Sequence, residues 1–535
     1  MEKYIFRKID TLGASSAEDD SLYLSECFVD IGFLNILRDC SDPRSIIVGR
    51  TGVGKTALIK QLNNGEEHVA EISPDDLALT YISNSTILKF LINIGVNLDI
   101  FFKLLWKHVL AVEIIKLRFK ICDENGKNIF FQFIEDKFKE DKEKQAIDYL
   151  KKWGDKFWEE TESRVREVTT KLEQEITGEF SSGIQIANLA LKGVSSVEEE
   201  QKKEIINRAQ QVVNKVQIRQ LSQILELLDK ILDDPQKKYF VTIDRLDEKW
   251  VDDRFRYRLV RALIETLRDF RKVRNAKIII AIRLDLIERV FRLTRDVGFQ
   301  EEKYESLYLQ IGWDKKQLCK VLDARINSLI KHQYTKKSIS HEYILPKKIK
   351  NRRSIDYIFD RTMMRPRDVI LFFNACINEA DGKPNITETM VLRAEGEYGR
   401  GRLKSLFDEW GADYANLKLF VELLKSRPRK FLYKEVSLNY FADFCLDIAV
   451  QTVAEKDSLY RDAFDVADDK LSAGDFKKKL FLIFHLVGLV YLKIEAFDKL
   501  ISSLSGRRSI SSAEITDDTE VSIHPMFWRV LGIKG

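Results

Sequence analysis

Residues Gly49-Arg50-Thr51-Gly52-Val53-Gly54-Lys55-Thr56 spell the pattern G-x-x-x-x-G-K-[ST]. The chemistry of that pattern is phosphate binding. Its glycines let the backbone wrap closely, so that amide N–H groups point at phosphate oxygens, and the positive end of a following helix adds to the same field. Lys55 has the charge and reach to meet the β- and γ-phosphates of a nucleotide, and the Thr56 hydroxyl suits a magnesium ion. A site of this kind needs a carboxylate across the sheet to hold the metal through its water shell. Tyr239-Phe240-Val241-Thr242-Ile243-Asp244 supplies one where an apolar run ends, so Asp244 is the expected magnesium ligand. Asp247 or Glu248, within one turn of it, would orient or deprotonate an attacking water; otherwise these acids are solvated or pair with Arg245.

Arginines form the next layer. Ile278–Ile282 ends in Arg283-Leu284-Asp285, and Arg283 can read a γ-phosphate or else brace Asp285. Arg365-Pro366-Arg367-Asp368 opens a helix, with proline where a first turn accepts it, and Arg365 or Arg367 could swing onto the phosphates. Arg289, Arg292 and Arg295 follow on one helix; one of them could enter a neighbouring copy's site, although an arginine run is more often a solvated face.

These groups need a scaffold. Ser45–Val48, Tyr239–Ile243 and Lys277–Ile282 are continuous apolar runs, as expected of parallel strands buried on both faces. His68–Ser73 and Leu307–Ile311 are further candidate strands, and helices are expected over Thr56–Asn63, Leu98–Leu117, Arg254–Arg274 and much of Lys315–Asn378. From Lys120 to Lys238 the composition turns to Lys, Glu and Gln: charged helices over Lys142–Ile176, a more β-like Gly183–Leu191, and a helix over Ser196–Asp233 opened by a Ser196/Glu199 capping box. That helix would reach roughly 57 Å at 1.5 Å per residue, long for a compact lobe. The last unit ends in a helix over Phe476–Tyr491 and two paired strands, Ile510–Ile515 and Val521–His524, a winged-helix pattern with Lys477, Lys478, Lys479, Arg507 and Arg508 as its basic residues.

Composition narrows the classes. A chain of 535 residues is too long for one core, and a net charge of +4 on that mass does not call for nucleic acid or an anionic membrane. The six cysteines contain no C-x-x-C pair, and the six histidines have no metal-site spacing, so free thiols in a reducing cytoplasm are expected and zinc is not. The most apolar stretches, Leu88–Leu117 and Phe481–Leu492, are respectively interrupted by charge and shorter than the ~20 residues that span a bilayer, so no membrane association is expected. The start has no secretory signal pattern. No G-x-S-x-G elbow, cysteine-nucleophile context or nuclease signature is present.

Taken together, the strand–loop–helix, the D-x-x-D-E strand end, the arginine closing the next strand and the R-P-R-D lid resemble the AAA+/STAND branch of P-loop ATPases. Ile47–Arg50, Ile243–Trp250, Met364–Asp368 and Ile523-His524-Pro525-Met526-Phe527 are similar to bacterial P-loop ATPases that sit in anti-phage defence islands beside an effector gene. The resemblance covers Asp30–Phe119 and Tyr239–Asn378 and, more loosely, the C-terminal unit. It implies an α/β fold: a five-stranded parallel sheet of order 5-1-4-3-2, a helical insert, a helical lid and a C-terminal winged helix. The expected divisions are 1–119 and 239–314 for the ATPase core, 120–238 for the insert, 315–385 for the lid and 386–535 for the C-terminal domain. It further implies ATP and Mg2+ as ligands, a switch that oligomerises, and a protein trigger or effector as partner. Two departures stand out. Arg245 replaces the acid that follows the metal ligand in many AAA+ motors, which argues against fast turnover, and Met364 stands where several STAND proteins carry glycine. Two other readings follow from the same residues: a DNA-processing ATPase, with DNA held by the C-terminal domain, and a nucleotide-locked scaffold without turnover.

Overall fold

A computed structural model describes residues 4–75, 97–121, 141–153, 203, 207, 218–295, 300–331, 338–453, 456–495, 497–502 and 510–534. The chain forms two compact units, Asp30–Ile311 and a second that joins Met1–Val29 to Gly312–Gly535.

The Asp30–Ile311 unit is built on a parallel sheet of five strands: β1 (Ile46–Gly49), β2 (Val69–Ile72), β3 (Tyr239–Ile243), β4 (Ala276–Arg283) and β5 (Tyr308–Gln310). Their order is β2-β3-β4-β1-β5. Strands β1 and β3 are buried along their whole length and β4 up to Ile282, which is why they read as unbroken apolar runs. Register brings the chemistry to one edge. Ile46 pairs with Ile280 and Gly49 with Arg283, so the first residue of the phosphate loop lies beside the last residue of β4.

Helices cover the sheet. After β1 comes α1 (Lys55–Gly65); α2 (Asp99–Phe119) follows β2. Helix α2 is apolar nearly all round and buries Phe102, Leu105, Trp106 and Ile115, the Trp106 indole donating to the Leu259 carbonyl at 2.9 Å. A helix apolar all round belongs in a core, not in a membrane, when its neighbours cover it. Among the described residues no helix is long and apolar enough to cross a membrane. In the insert, α3 (Asp141–Trp153) and α4 (Ile218–Ile231) are described, and each buries one stripe: Ala146, Ile147 and Leu150 on α3; Ile224, Leu228 and Ile231 on α4. The β-like Gly183–Leu191 and the Ser196 capping box lie outside the described residues. Two further helices, α5 (Asp253–Phe270) and α6 (Leu284–Thr294), flank β4 in sequence.

In the other unit, α7 (Lys315–Lys331), α8 (Pro366–Glu379) and α9 (Glu388–Trp410) are followed by strand β6 (Lys430–Leu432), helices α10 (Leu438–Ala449), α11 (Ser458–Ala467) and α12 (Ala473–Val487), and strands β7 (Val490–Lys493) and β8 (Glu520–Ile523). The strands make an antiparallel sheet of order β6-β8-β7. One hydrophobic cluster runs through this unit from Tyr4 to Leu531.

Three sequence expectations are corrected here. The terminal strand Glu520–Ile523 pairs with Val490–Lys493, not with Ile510–Ile515. Gly488 takes a left-handed φ of +89°, which ends α12 before Tyr491, and Val490 and Leu492 then alternate into the core as a strand does. Ser511 and Glu514 meanwhile cap each other around a 3-10 turn, which removes that stretch from any ladder. The division at 385/386 also falls, because residues on both sides share one core. Finally, the first 29 residues do not belong with the nucleotide core. Phe6 exchanges backbone hydrogen bonds with Gly382 and Lys383 at 2.8 and 3.0 Å, Leu12 donates to the Asn374 side chain at 2.8 Å, and buried Arg325 pairs with Asp20. Gly13 sits at φ +106°, and a methyl group there would collide with the Asp20 carboxylate and the Arg325 guanidinium. Gly13→Ala should therefore lower stability by about 2–3 kcal/mol, read from the denaturant midpoint; an unchanged midpoint would show that the segment is not anchored this way.

Candidate functional site

The site lies at the ends of β1, β3 and β4. Gly52 and Gly54 have φ of +80° and +99°, a region in which side chains are strained, and they turn the loop from strand into helix. Gly49 has no room for a side chain: a Cβ would stand 2.6 Å from Val53. Lys55, the first residue of α1, folds back over the loop. Its Nζ donates to the Gly49 and Arg50 carbonyls at 3.0 and 3.2 Å. Burial pushes this ammonium down to about 8, while Asp247 and Asp244 hold it up. Half-buried and folded over the glycine loop, with Asp247, Asp244 and Asp285 acting on it, this cation stands where an anion held by the loop would meet it.

Asp244 follows the last residue of β3. Burial pushes its carboxyl up, against the Thr56 hydroxyl, the Arg245 amide and Lys55. Oδ1 accepts from the Arg245 amide at 2.8 Å, and Oδ2 is buried with no hydrogen-bond partner. Such an oxygen is costly unless something fills the position. A hydrated magnesium ion between Asp244 and Thr56 fits the two oxygen donors, since magnesium takes only one or two protein ligands and keeps water or phosphate for the rest. Among the described residues no group of three His, Cys, Asp or Glu side chains could hold a metal by itself.

Beyond Asp244 the chain turns tightly. Arg245 takes φ +60°, the Glu248 amide donates to the Arg245 carbonyl at 3.1 Å, and buried Leu246 and Trp250 anchor the turn. The two acids face different neighbours. Asp247 Oδ2 lies 3.5 Å from Arg283 and acts on Lys55, whereas Glu248 lies 3.8 Å from Arg245. Partial burial pushes the Glu248 carboxyl up, Arg245 opposes it, and the nearby Asp247, Asp75 and Asp244 add to the rise. Arg283 is gripped by Asp285 through two bonds of 2.9 and 2.8 Å, so it both braces Asp285 and reaches Asp247. Arg289, on α6, donates to the Tyr257 hydroxyl at 3.1 Å; Arg292 and Arg295 are exposed.

The lid arginines belong to the other unit. Arg365 is buried and forms a two-bond pair with Asp368 at 2.9 and 3.3 Å; Arg402 lies 3.2 Å from the same carboxylate. Arg367 is half-buried and donates to the Ser15 carbonyl at 2.7 Å. Met364, before this motif, takes φ +51°, the conformation that glycine favours. The Ile523–Phe527 stretch acts within the same unit. Burial pushes His524 down to about 3, and its Nδ1 accepts the Met526 amide at 3.1 Å, capping a 3-10 turn. Gly399 on α9 admits that turn, since a Cβ there would stand 2.9 Å from the Met526 carbonyl. Lys477 is buried against the Tyr433 ring and donates to the Val436 carbonyl, and Lys479 pairs with Asp462. Arg507 and Arg508 lie outside the described residues.

Sequence reading missed Arg256. Its guanidinium donates to the backbone carbonyls of both Asp247 and Glu248 at 3.2 and 3.0 Å. The available signal is an arginine standing in the apolar stripe Leu259, Leu263, Leu267 of α5, where a charge needs a buried partner.

A parallel five-stranded sheet, a glycine-rich loop between β1 and α1, and a carboxylate at the end of β3 beside the loop threonine define a P-loop nucleotide-binding fold. Residues 316–407 match the family model of the FunZ-associated C-terminal helical domain, a span from α7 into α9. A stretch of 84 residues is 38% identical to a putative transposon gamma-delta 80.3 kDa protein of Escherichia coli (strain K12). It covers 14% of this chain and only 12% of that protein's length. Among solved structures, the chain is similar to a Walker-type ATPase of Pyrococcus abyssi at 12% identity and a TM-score of 0.37, over 98% of this chain and 100% of that one. It is also similar to the ORC2 protein of Aeropyrum pernix at 13% identity and a TM-score of 0.29, over 98% and 93% of the two chains.

Proposed function

We propose that this protein is an ATP-binding and ATP-hydrolysing switch of the AAA+/STAND type. The observation that carries the reading is the meeting of Lys55, Thr56 and Asp244, with one buried Asp244 oxygen lacking a hydrogen-bond donor where a magnesium ion would sit. In this reading Gly49–Thr56 wrap the phosphates, and Thr56 and Asp244 hold the metal's water shell. Bound magnesium would draw negative charge off the phosphate oxygens. Asp247 orients the attacking water, and Arg283, held by Asp285, reads the γ-phosphate. A sensing role for Arg365 or Arg367 is proposed on motif resemblance alone, since Arg365 pairs with Asp368 and Arg367 donates to the Ser15 carbonyl within their own unit. Adenine preference follows from resemblance and from the lack of a guanine-reading N-K-x-D in the chain.

The C-terminal sheet with its three helices is read as a winged helix acting as a brace, since Lys477 and Lys479 serve internal bonds. The proposal extends, on motif resemblance alone, to oligomerisation, control of a protein effector in the cytoplasm and a place in anti-phage defence. The test is phosphate release from Mg-ATP by wild type and Lys55→Ala, with and without DNA. Turnover that the variant loses and DNA leaves unchanged is expected. Turnover strongly raised by DNA would favour the DNA-processing reading, and tight binding without turnover would favour the nucleotide-locked scaffold.

A further inference from the structure

We propose that Arg256 is a positioning residue that fixes the acid turn carrying Asp247 and Glu248, and that it links this turn to the helix following Arg283. The inference rests on the hydrolytic reading above. Arg256 lies in the first turn of α5, and its side chain is 6% exposed. One nitrogen, Nη1, donates to the Asp247 carbonyl at 3.2 Å and to the Glu248 carbonyl at 3.0 Å. The other, Nη2, lies 2.9 Å from Asp253 and 3.3 Å from the Tyr257 hydroxyl. The fork therefore holds two consecutive carbonyls of the turn from one side and a carboxylate of its own helix from the other. Fixing those two peptide units fixes the directions in which the Asp247 and Glu248 side chains leave the backbone.

The turn needs this support. Arg245 is in a left-handed conformation, and both acids are substantially exposed, so their own side chains pack against little. Small displacements of a water-orienting carboxylate are expensive in rate. The Tyr257 hydroxyl also accepts from Arg289 at 3.1 Å, which places α6 at the far end of the same chain of bonds. Helix α6 begins at the residue after Arg283, and Arg283 itself lies 3.5 Å from Asp247. The acid turn is thus gripped from two sides by elements that meet the end of β4: through the Arg283 side chain and through Arg256, Tyr257 and Arg289. A lysine at position 256 keeps the charge beside Asp253 but lacks the planar fork.

The experiment is steady-state phosphate release against Mg-ATP concentration for wild type, Arg256→Lys and Arg256→Ala, with a thermal melt of each. Because the bonds Arg256 makes run to the acid turn and to its own helix, KM should stay within about threefold, while kcat falls about tenfold in the lysine variant and about 10- to 100-fold in the alanine variant. A folded variant of either kind with kcat within about twofold of wild type, or with KM rising in step with the fall in kcat, overturns the proposal. Where Arg256→Ala does not fold, Arg256→Lys decides. A wild type that binds Mg-ATP without turnover overturns the hydrolytic reading and this proposal with it; a wild type that turns over alongside an unchanged Arg256→Lys overturns this proposal alone.

Discussion

Asp247→Asn should reduce ATP turnover by about 10²- to 10³-fold while leaving the KM for Mg-ATP within about threefold. A positioned carboxylate contributes on that scale when it accepts or orients the proton of an attacking water, and the amide cannot take that proton. Geometry separates it from its neighbour. Asp247 faces Arg283 at 3.5 Å and acts on Lys55, whereas Glu248 faces Arg245 and has a carboxyl pushed up by partial burial and adjacent acids. Glu248→Gln should accordingly keep more than about a tenth of the turnover. The reverse pattern, an inactive Glu248→Gln beside an active Asp247→Asn, would transfer the water-orienting role to Glu248.

The second large effect is on stability. Asp368 is fully buried and holds two buried guanidinium groups, Arg365 at 2.9 Å and Arg402 at 3.2 Å, as well as the Met363 amide at 3.0 Å. Burial alone would push this carboxyl up, but the two arginines and the amide hold it below the usual carboxylate range. Asp368→Ala leaves two buried cations without their counter-ion, which costs about 3–5 kcal/mol, a large share of the roughly 5–15 kcal/mol that stabilises a domain. The melting transition of the unit holding the lid helices should fall by many degrees or vanish. The same linkage sets a pH dependence. A carboxyl depressed in the folded state contributes stability that is present above its unfolded value and is lost as pH falls through the folded one. Wild type should thus lose stability in acid more steeply than a variant lacking the carboxylate. An Asp368→Ala protein that melts like wild type would show that the cluster carries no net stability.

This cluster also shows where sequence reading stops. Arg365-Pro366-Arg367-Asp368 and Ile523–Phe527 look like two separate signals in the chain, one for a nucleotide sensor and one for a C-terminal domain. In the fold both serve one core. Asp368 neutralises Arg365, His524 caps the turn that packs on α9, and Glu395 joins Tyr357, Arg361 and Arg529 at 2.8, 2.7 and 3.4 Å. Nothing in a linear spacing announces that an arginine is paired inward. The phosphate loop and the strand ends were legible because each is local: a glycine pattern whose backbone needs φ near +80° to +100°, and apolar runs ending in acid. The apolar stripe of α5 marks Arg256 as inward-facing but does not name its partners, which are carbonyls eight and nine residues away in a turn whose shape depends on Arg245. The N-terminal segment was misplaced for a similar reason. Its anchors, Asn374, Arg325 and Lys383, lie more than 300 residues further along the chain.

The most direct test of the account is a calorimetric titration of the full chain with Mg-ATP, comparing wild type with Lys55→Ala. Removing the one ammonium that closes over the loop should weaken binding by about 2–4 kcal/mol, or about 30- to 1,000-fold, with the folded state intact by thermal melt. A variant that binds Mg-ATP as tightly as wild type, or a wild type that does not bind it, would contradict the assignment of Gly49–Thr56 and Asp244 as a magnesium–nucleotide site.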